Sequence, residues 1–380
     1  MYIPFNKPYF TGEETTYIRQ AVKSGKISGN GTYTNMCQHF FEERYGFRKC
    51  LLTTSCTDAL EMTALLCNLK PDDEVIIPSY TFVSTALAFV RVGAKIVFAD
   101  SQKKHPNVDV DALESLITSN TRVIVPVHYA GIACDMDALM RLAEKYNLIV
   151  VEDAAQAIDS FYENKPLGGI GHLAAFSFHE TKNIISGEGG MLVINDERFI
   201  RRAEIIWEKG TNRAEFFRGE VNKYNWVDIG SSFLPSEVTS AFLYAQLEHL
   251  DDIQAKRKEL WNYYYRKLKH LEDAHLCQLP TIPYYASNNA HIFYLIFPSE
   301  AIRLTIAKKL KEHNILAVSH YLCLHSSPYY THKHDGRELP NSDRFTNCLL
   351  RLPMFYELTF EEIDAISNII ADELSHISPR

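Results

Sequence analysis

The sequence predicts an α/β fold with a mostly parallel, doubly wound sheet in a large N-terminal domain and a smaller C-terminal α+β domain. Three observations predict it. Short apolar, β-branched runs recur at roughly two-dozen-residue intervals through the first half of the chain. Helix-like stretches separate them. After about residue 240 that alternation stops and long amphipathic segments take over.

The expected strands are 49–55 (KCLLTTS), 74–79 (EVIIPS), 95–100 (KIVFAD), 122–127 (RVIVPV), 148–153 (LIVVED) and 174–178 (AAFSF). Runs apolar on both faces belong to strands covered from both sides, which is the state of a parallel sheet. The expected helices between them are 57–68, 84–93, 109–118 and 136–147. Strand alternating with helix implies βαβ units. Residues 236–272 read as one long charged amphipathic helix. A strand at 291–297 (HIFYLIF), a helix at 302–314, a strand at 315–321 (ILAVSHY) and a terminal helix from about Phe360 complete the reading. The domain boundary falls near residue 250, giving domains 1–250 and 251–380.

Composition narrows the function. The 380 residues carry 39 basic and 47 acidic side chains, a formal charge of −8. That excludes a non-specific nucleic-acid binder, which needs a basic surface. No apolar run has the length of a membrane helix. The first residues lack a basic stretch followed by an apolar one, so no signal peptide and a cytoplasmic location are expected. The eight cysteines include no CxxC pair and read as small core residues. The histidines of 313–334 lack metal-binding spacing, so no metal is expected. A GxGxxA run at 169–174 precedes a strand instead of following one, which speaks against a dinucleotide fingerprint.

Ligands of such sheets gather at the carboxyl ends of the strands, and four features fall there. Asp153 ends an apolar strand in VVEDAAQAID, with Gln156 three residues on. It reads either as a helix cap or as an anion facing a protonated heterocycle. Lys182 follows a strand in SFHETKN, ahead of GEGG at 187–190. It is a solvated loop lysine or a desolvated one able to form a Schiff base. Ser55, Cys56 and Thr57 open a helix and offer hydroxyls and free N–H groups to a phosphate. Tyr80 and Phe82, in PSYTFVST, could stack on a planar ring or join the core. Each is weak alone. Phosphate cradle, aromatic plate, carboxylate and lysine on one sheet make the set that pyridoxal phosphate (PLP) requires.

The strings TTSCTDAL, PSYTFVST, PVHYAG, VEDAAQA, FSFHETKN and GEGG, in that order, closely resemble the sugar aminotransferases of the DegT/DnrJ/EryC1/StrS family. The resemblance runs over nearly the whole chain and implies the fold-type I, aspartate aminotransferase-like architecture. It implies that Lys182 bonds the cofactor and Asp153 pairs with its ring nitrogen. Gln156 then approaches the ring hydroxyl, Phe82 stacks on the ring, and Ser55, Thr57 and Ser177 hold the phosphate, Cys56 adding its N–H. Many relatives carry an Asn that reaches the neighbouring subunit's phosphate; here IGSSFLPSEV places Ser232 there, in a homodimer with a shared site. Tyr80, His320, Tyr321 and His325 resemble the substrate side.

Within the family, SFHETKN, EKGTNR, FFRG and DIGSS are most similar to members that convert dTDP-4-keto-6-deoxyglucose to dTDP-4-amino-4,6-dideoxygalactose with L-glutamate as donor, for surface polysaccharide. Amination at C3, or of a UDP-linked sugar, is the alternative within the family. A non-catalytic regulator that binds PLP or a sugar nucleotide is the alternative from another class. Large apolar residues Phe216, Phe217, Tyr224, Trp226, Phe233 and Leu234 beside Ser232 suit an interface or a core.

Overall fold

In the computed structural model, which describes residues 2–377, helices α1 (Glu14–Lys23) and α2 (Thr32–Tyr45) precede the sheet. Strands β1 (Lys49–Thr53), β2 (Glu74–Pro78), β3 (Lys95–Ala99), β4 (Thr121–Ile124) and β5 (Ile149–Asp153) follow. Three helices cross between strands: α3 (Cys56–Leu66), α4 (Val83–Arg91) and α5 (Met136–Tyr146). Two-residue strands β6 (Phe161–Tyr162) and β7 (Lys165–Pro166) form a separate ribbon, and β8 (Leu173–Ser177) and β9 (Gly190–Ile194) complete the sheet.

Its order is β1-β9-β8-β5-β4-β2-β3. The strands run parallel except β9, which is antiparallel to both β1 and β8. Strand tips of β1, β2, β5 and β8 therefore share one edge, and the residues singled out above sit on it. Consecutive strand residues bury into opposite layers. Leu52, Ile76 and Val150 join one core with Phe41, Leu139 and Phe176, while Leu51, Val75 and Val151 join another with Leu60, Phe89 and Phe98. That two-sided burial is the reason these runs are apolar without alternation.

The helix ends have local causes. The Ser55 hydroxyl accepts from the Asp58 N–H at 3.1 Å and caps α3. Asp135 caps α5 through the Ala138 N–H at 3.1 Å, and Asn147 ends it in the left-handed region at φ 54°. Both follow the preference of short polar side chains for helix boundaries.

The remaining elements are α6 (Ile200–Trp207), α7 (Arg213–Phe217), α8 (Glu237–Leu247), α9 (Leu250–Asp273), β10 (Phe293–Ile296), α10 (Glu300–Glu312), α11 (Pro340–Cys348), β11 (Leu349–Leu352) and α12 (Phe360–Ile377). Leu250 and Ile253 of α9 bury with the large sheet, whereas Leu260, Tyr264 and Leu268 bury with Phe293, Ile306, Leu350 and Ile366 in a third core. Ile3 joins that third core and bridges Ile315.

The structure corrects four local expectations. The single helix over 236–272 is two helices, broken at Glu248 and His249 with no Gly or Pro to mark the stop. Segment 315–321 makes only isolated bridges, Ile3 to Ile315 and Val318 to Arg351, because no neighbour offers a second consecutive pair. Residues 110–116 wind as a 3₁₀ helix. Strand β9, apolar and fully buried, was not among the expected strands.

Candidate active site

A cavity of about 510 Å³ opens at the carboxyl edge of the sheet, within the roughly 300–1,000 Å³ typical of small-molecule sites. Its wall includes Ser55, Cys56, Thr57, Phe82, Asp153, Gln156, Ser177, Lys182, His320 and Tyr321. Every one of these is a residue that sequence reasoning placed at the site.

Strand β5 delivers Asp153 to the floor, 5% exposed. One carboxylate oxygen accepts from the Thr85 hydroxyl at 2.7 Å and the other from the Ala155 N–H at 3.2 Å. Burial raises the Asp153 carboxyl above the usual range, and these two donors oppose the rise. Three residues on, the Gln156 carbonyl accepts from the Ala130 N–H at 2.7 Å and its amide donates to the Tyr321 hydroxyl at 3.1 Å. Both ends of the side chain are thereby fixed.

Lys182 lies in the loop between β8 and β9. The loop is closed by the Phe178 N–H to Gly189 at 2.8 Å and the Ser186 N–H to Phe178 at 2.7 Å. Asn183 anchors it by donating to Gln254 at 2.8 Å and to the Asn289 carbonyl at 2.9 Å. Lys182 makes no ion pair among the described residues, and burial lowers its amine from 10.5 to about 8. His291 bonds Asn183 Oδ1 through Nδ1 at 2.8 Å. Burial, with the charges of Lys182, Arg351 and Arg257, pushes it well below its ordinary value, so the ring is neutral.

The first turn of α3 forms the third wall. The N–H groups of Cys56 and Thr57 lie in the helix's first turn, where no intrahelical acceptor exists. The Thr57 hydroxyl lies 2.8 Å from that of Ser84, and Ser177 Oγ accepts from the His179 N–H at 3.4 Å. Gly190 lets β9 pass directly beneath this turn: a Cβ there would stand 2.3 Å from Cys56 N and from the Ser55 carbonyl carbon. The glycine makes room for backbone, because any side chain there would collide with the α3 turn. Free N–H groups and hydroxyls at a helix N-terminus, an unpaired buried amine and a buried carboxylate form a donor set that fits pyridoxal phosphate.

Some expected residues lie elsewhere. Tyr80 does not line the cavity: it is 1% exposed and donates its hydroxyl to the His320 carbonyl at 2.5 Å, because Tyr129, Tyr321 and Phe345 enclose its ring. His325 also stands off the wall, its Nδ1 2.7 Å from the Ser79 hydroxyl. With Cys323 and Asp343 it forms a group whose ligand atoms lie within 4.8 Å of one another. Two of the three are already engaged, His325 by Ser79 and Cys323 Sγ by the Thr346 hydroxyl at 3.1 Å. Ser232 is exposed, bridges Glu208 and does not line its own chain's cavity. Phe82 lines the cavity at 54% exposure. Of the aromatic run beside Ser232, Phe233 is buried in its own chain, while Phe217 and Trp226 are 68% and 82% exposed. The glycines of 168–171 tie Glu152, which accepts from the N–H groups of Gly168, Ile170 and Gly171.

Sequence reasoning missed Thr85, His291 and Arg351 at the cavity. Arg351 had a readable signal, a lone charge inside the apolar run LLRL. Thr85 and His291 had none, since each acts through a residue distant in sequence.

A model of the DegT/DnrJ/EryC1/StrS aminotransferase family matches residues 8–371. Protein MJ1066 of Methanocaldococcus jannaschii is 29% identical over 377 residues, 97% of each chain. The structure of Spr1654 from Streptococcus pneumoniae in its PMP form aligns with a TM-score of 0.91 at 25% identity, over 99% of this chain and 100% of that one. Helicobacter pylori PseC, an aminotransferase involved in the biosynthesis of pseudoaminic acid, shares the fold with a TM-score of 0.89 at 24% identity, over 99% and 100% of the two chains.

Proposed function

The chain belongs to the DegT/DnrJ/EryC1/StrS aminotransferase family, sugar aminotransferases that work with pyridoxal phosphate, and we propose that it moves the amino group of L-glutamate to the 4-keto carbon of a nucleotide-linked 6-deoxyhexose. The substrate we infer is dTDP-4-keto-6-deoxy-D-glucose, and the product dTDP-4-amino-4,6-dideoxy-D-galactose, destined for a surface polysaccharide such as O antigen. The observation that carries the reaction class is the meeting of Lys182, Asp153 and Gln156 in one cavity. The strings SFHETKN, EKGTNR, FFRG and DIGSS support the finer substrate.

When bound, pyridoxal phosphate supplies a carbonyl that accepts the amine and a ring that withdraws electrons from the donor carbon. Lys182 is the residue that would hold it covalently. Burial lowers the Lys182 amine, which favours the neutral form that would take a proton from the donor Cα. In the sugar half-reaction the same amine would deliver a proton to the sugar carbon that gains the amino group. Asp153 would hold the proton of the ring nitrogen, and a cation there reverses the upward push of burial on its carboxyl. Thr85 and the Ala155 N–H keep that carboxylate aimed. Gln156, fixed by Ala130 and Tyr321, would meet the ring hydroxyl. The α3 turn with Ser55, Thr57 and Ser177 would take the phosphate, and Phe82 would cover the ring. His320 and Tyr321 face the substrate side. A second copy of the chain would bring Ser232 to the phosphate, with the reactions running in the cytoplasm.

The test incubates the protein with PLP, glutamate and a panel of dTDP- and UDP-linked 3-keto and 4-keto sugars, and identifies products by NMR. Amination at C4 of the dTDP sugar with galacto configuration is expected. Amination at C3, or of UDP sugars alone, replaces the substrate and leaves the reaction class. No amination of any sugar favours a binding-only protein.

A further inference from the structure

Asn289, Ala290 and His291 lie on the lead-in to β10, and all three side chains are buried. The Asn289 amide donates to the carbonyls of Gln156 and Ile158, each at 2.8 Å. Its backbone carbonyl accepts from the Asn183 amide at 2.9 Å. His291 Nδ1 bonds Asn183 Oδ1 at 2.8 Å. One tripeptide from the second half of the chain thus holds both the loop that follows Asp153 and the loop that carries Lys182.

The tripeptide is itself firmly held. Asn289 Oδ1 accepts from the His291 N–H at 3.1 Å, and the Arg257 guanidinium donates to the carbonyls of Ala290 and His291 at 3.1 and 2.6 Å. Ala290 sits in the left-handed region at φ 53°, which a residue with a Cβ adopts only at a cost. Such strain persists where surrounding contacts over-determine the backbone. Gln254, one turn before Arg257 on α9, accepts from Asn183 through Oε1, which leaves its Nε2 buried without a partner. Turning that amide over would set N–H against N–H. The chain therefore tolerates a strained residue and an orphaned donor to keep Asn183 in place.

The same contacts fix the tautomer of His291. Asn183 directs its amide N–H groups at two carbonyl oxygens, of Gln254 and Asn289, so its Oδ1 faces the ring as an acceptor. Nδ1 must then carry the ring proton. Burial and the neighbouring cations keep the ring neutral, so Nε2 is unprotonated.

We infer that His291 is a positioning residue for transamination, an inference that rests on the aminotransferase reading of the site but not on the identity of the sugar. Its Nδ1–H locks Asn183 and so fixes the direction in which the adjoining Lys182 extends its amine, while Asn289 keeps the loop after Asp153 in register with it. The requirement is geometric. A reacting group misplaced by about 1 Å can lose about a hundred-fold in rate. A lysine at the end of a flexible stem depends on the backbone that aims it.

The test compares holoenzyme with His291→Phe, which keeps a ring but removes the donor, and with His291→Asn, whose amide nitrogen can stand where Nδ1 stood. Single-turnover absorbance follows the half-reaction with glutamate, and absorbance also follows capture of PLP by Lys182 in cofactor-stripped protein. His291→Phe is expected to slow the saturated half-reaction about 10- to 100-fold, to change the glutamate concentration at half-maximal rate by less than about three-fold, and to slow PLP capture about ten-fold. His291→Asn should restore both rates to within about five-fold of wild type, because the hydrogen bond to Asn183 is kept. Rates unchanged in His291→Phe overturn the inference. His291→Asn as slow as His291→Phe also overturns it and leaves only the bulk of the ring as the requirement. A loss confined to glutamate affinity overturns it too and makes His291 a donor-binding residue. If His291→Phe does not fold, His291→Gln decides: its amide lies one methylene too far, so the saturated rate should still fall about ten-fold, and a wild-type rate refutes the role. Should glutamate fail to react with the wild type while PLP capture still depends on His291, the reading of the donor falls and the positioning role stands.

Discussion

Replacing Lys182 with Met should stabilise the cofactor-free protein near neutral pH, by an amount that fades as pH rises. Burial holds the Lys182 amine at about 8, down from 10.5, so the folded state binds this proton less tightly than the unfolded chain. Below pH 8 both states carry the proton and the folded state bears the whole penalty. Between pH 8 and 10.5 the folded lysine releases its proton first, the penalty shrinks, and above 10.5 it is gone. At about 1.36 kcal/mol per pH unit the fall amounts to roughly 3 kcal/mol at pH 7 and about 1.4 kcal/mol at pH 9.5. Asp153 offsets part of the gain, because the variant removes a neighbouring cation from a carboxylate that burial already disfavours. Met fills a similar volume, so packing changes little. The expected net gain is about 1–3 kcal/mol at pH 7, falling by at least half at pH 9.5. Urea denaturation of cofactor-stripped wild type and variant, at fixed protomer concentration, measures it. A variant less stable than wild type at pH 7, or a gain equal at both pH values, refutes the claim that a desolvated cation sits at this position.

Three further outcomes are expected. Asp153→Asn keeps the shape but not the charge and should slow both half-reactions about a hundred-fold or more while cofactor still binds; near-normal turnover removes Asp153 from the chemistry. Gly190→Ala puts a methyl 2.3 Å from the backbone of Ser55 and Cys56, so the α3 turn must shift and cofactor should dialyse away about ten-fold faster; unchanged retention means the phosphate is held elsewhere. Ser232→Ala should weaken cofactor retention about ten-fold in a protein that sediments as a dimer; an active monomer rules out the shared site, and a dimer with unaltered retention discards Ser232 alone.

The large sheet was legible because its strands are short apolar runs separated by helix-like stretches, the pattern of strands covered on both faces. The site residues on it were legible for the same reason: a strand tip is a defined place, so Asp153 and Ser55 could be located once β5 and β1 were. Strand β9 was less legible because its signal, GMLVI, follows glycines that read as a loop. The break between α8 and α9 left no mark in sequence, since Glu248 and His249 are compatible with a continuous helix. Tyr80 went astray because strand-end aromatics look alike; only the tertiary neighbours Tyr129, Tyr321 and Phe345 make this one core.

Trp226 at 82% exposure, Phe217 at 68% and Ile229 at 54% share one chain segment with Ser232. Exposed singly, such residues mean little; several on one segment are surface that the proposed dimer would cover. Phe82 and Val83, 54% and 50% exposed, lie at the cavity mouth and the start of α4. A single protomer thus leaves apolar surface open both at the rim of its site and around Ser232. The proposed dimer would cover both, which is why removing a single hydroxyl from an exposed serine is expected to be felt at the phosphate in the neighbouring copy's cavity.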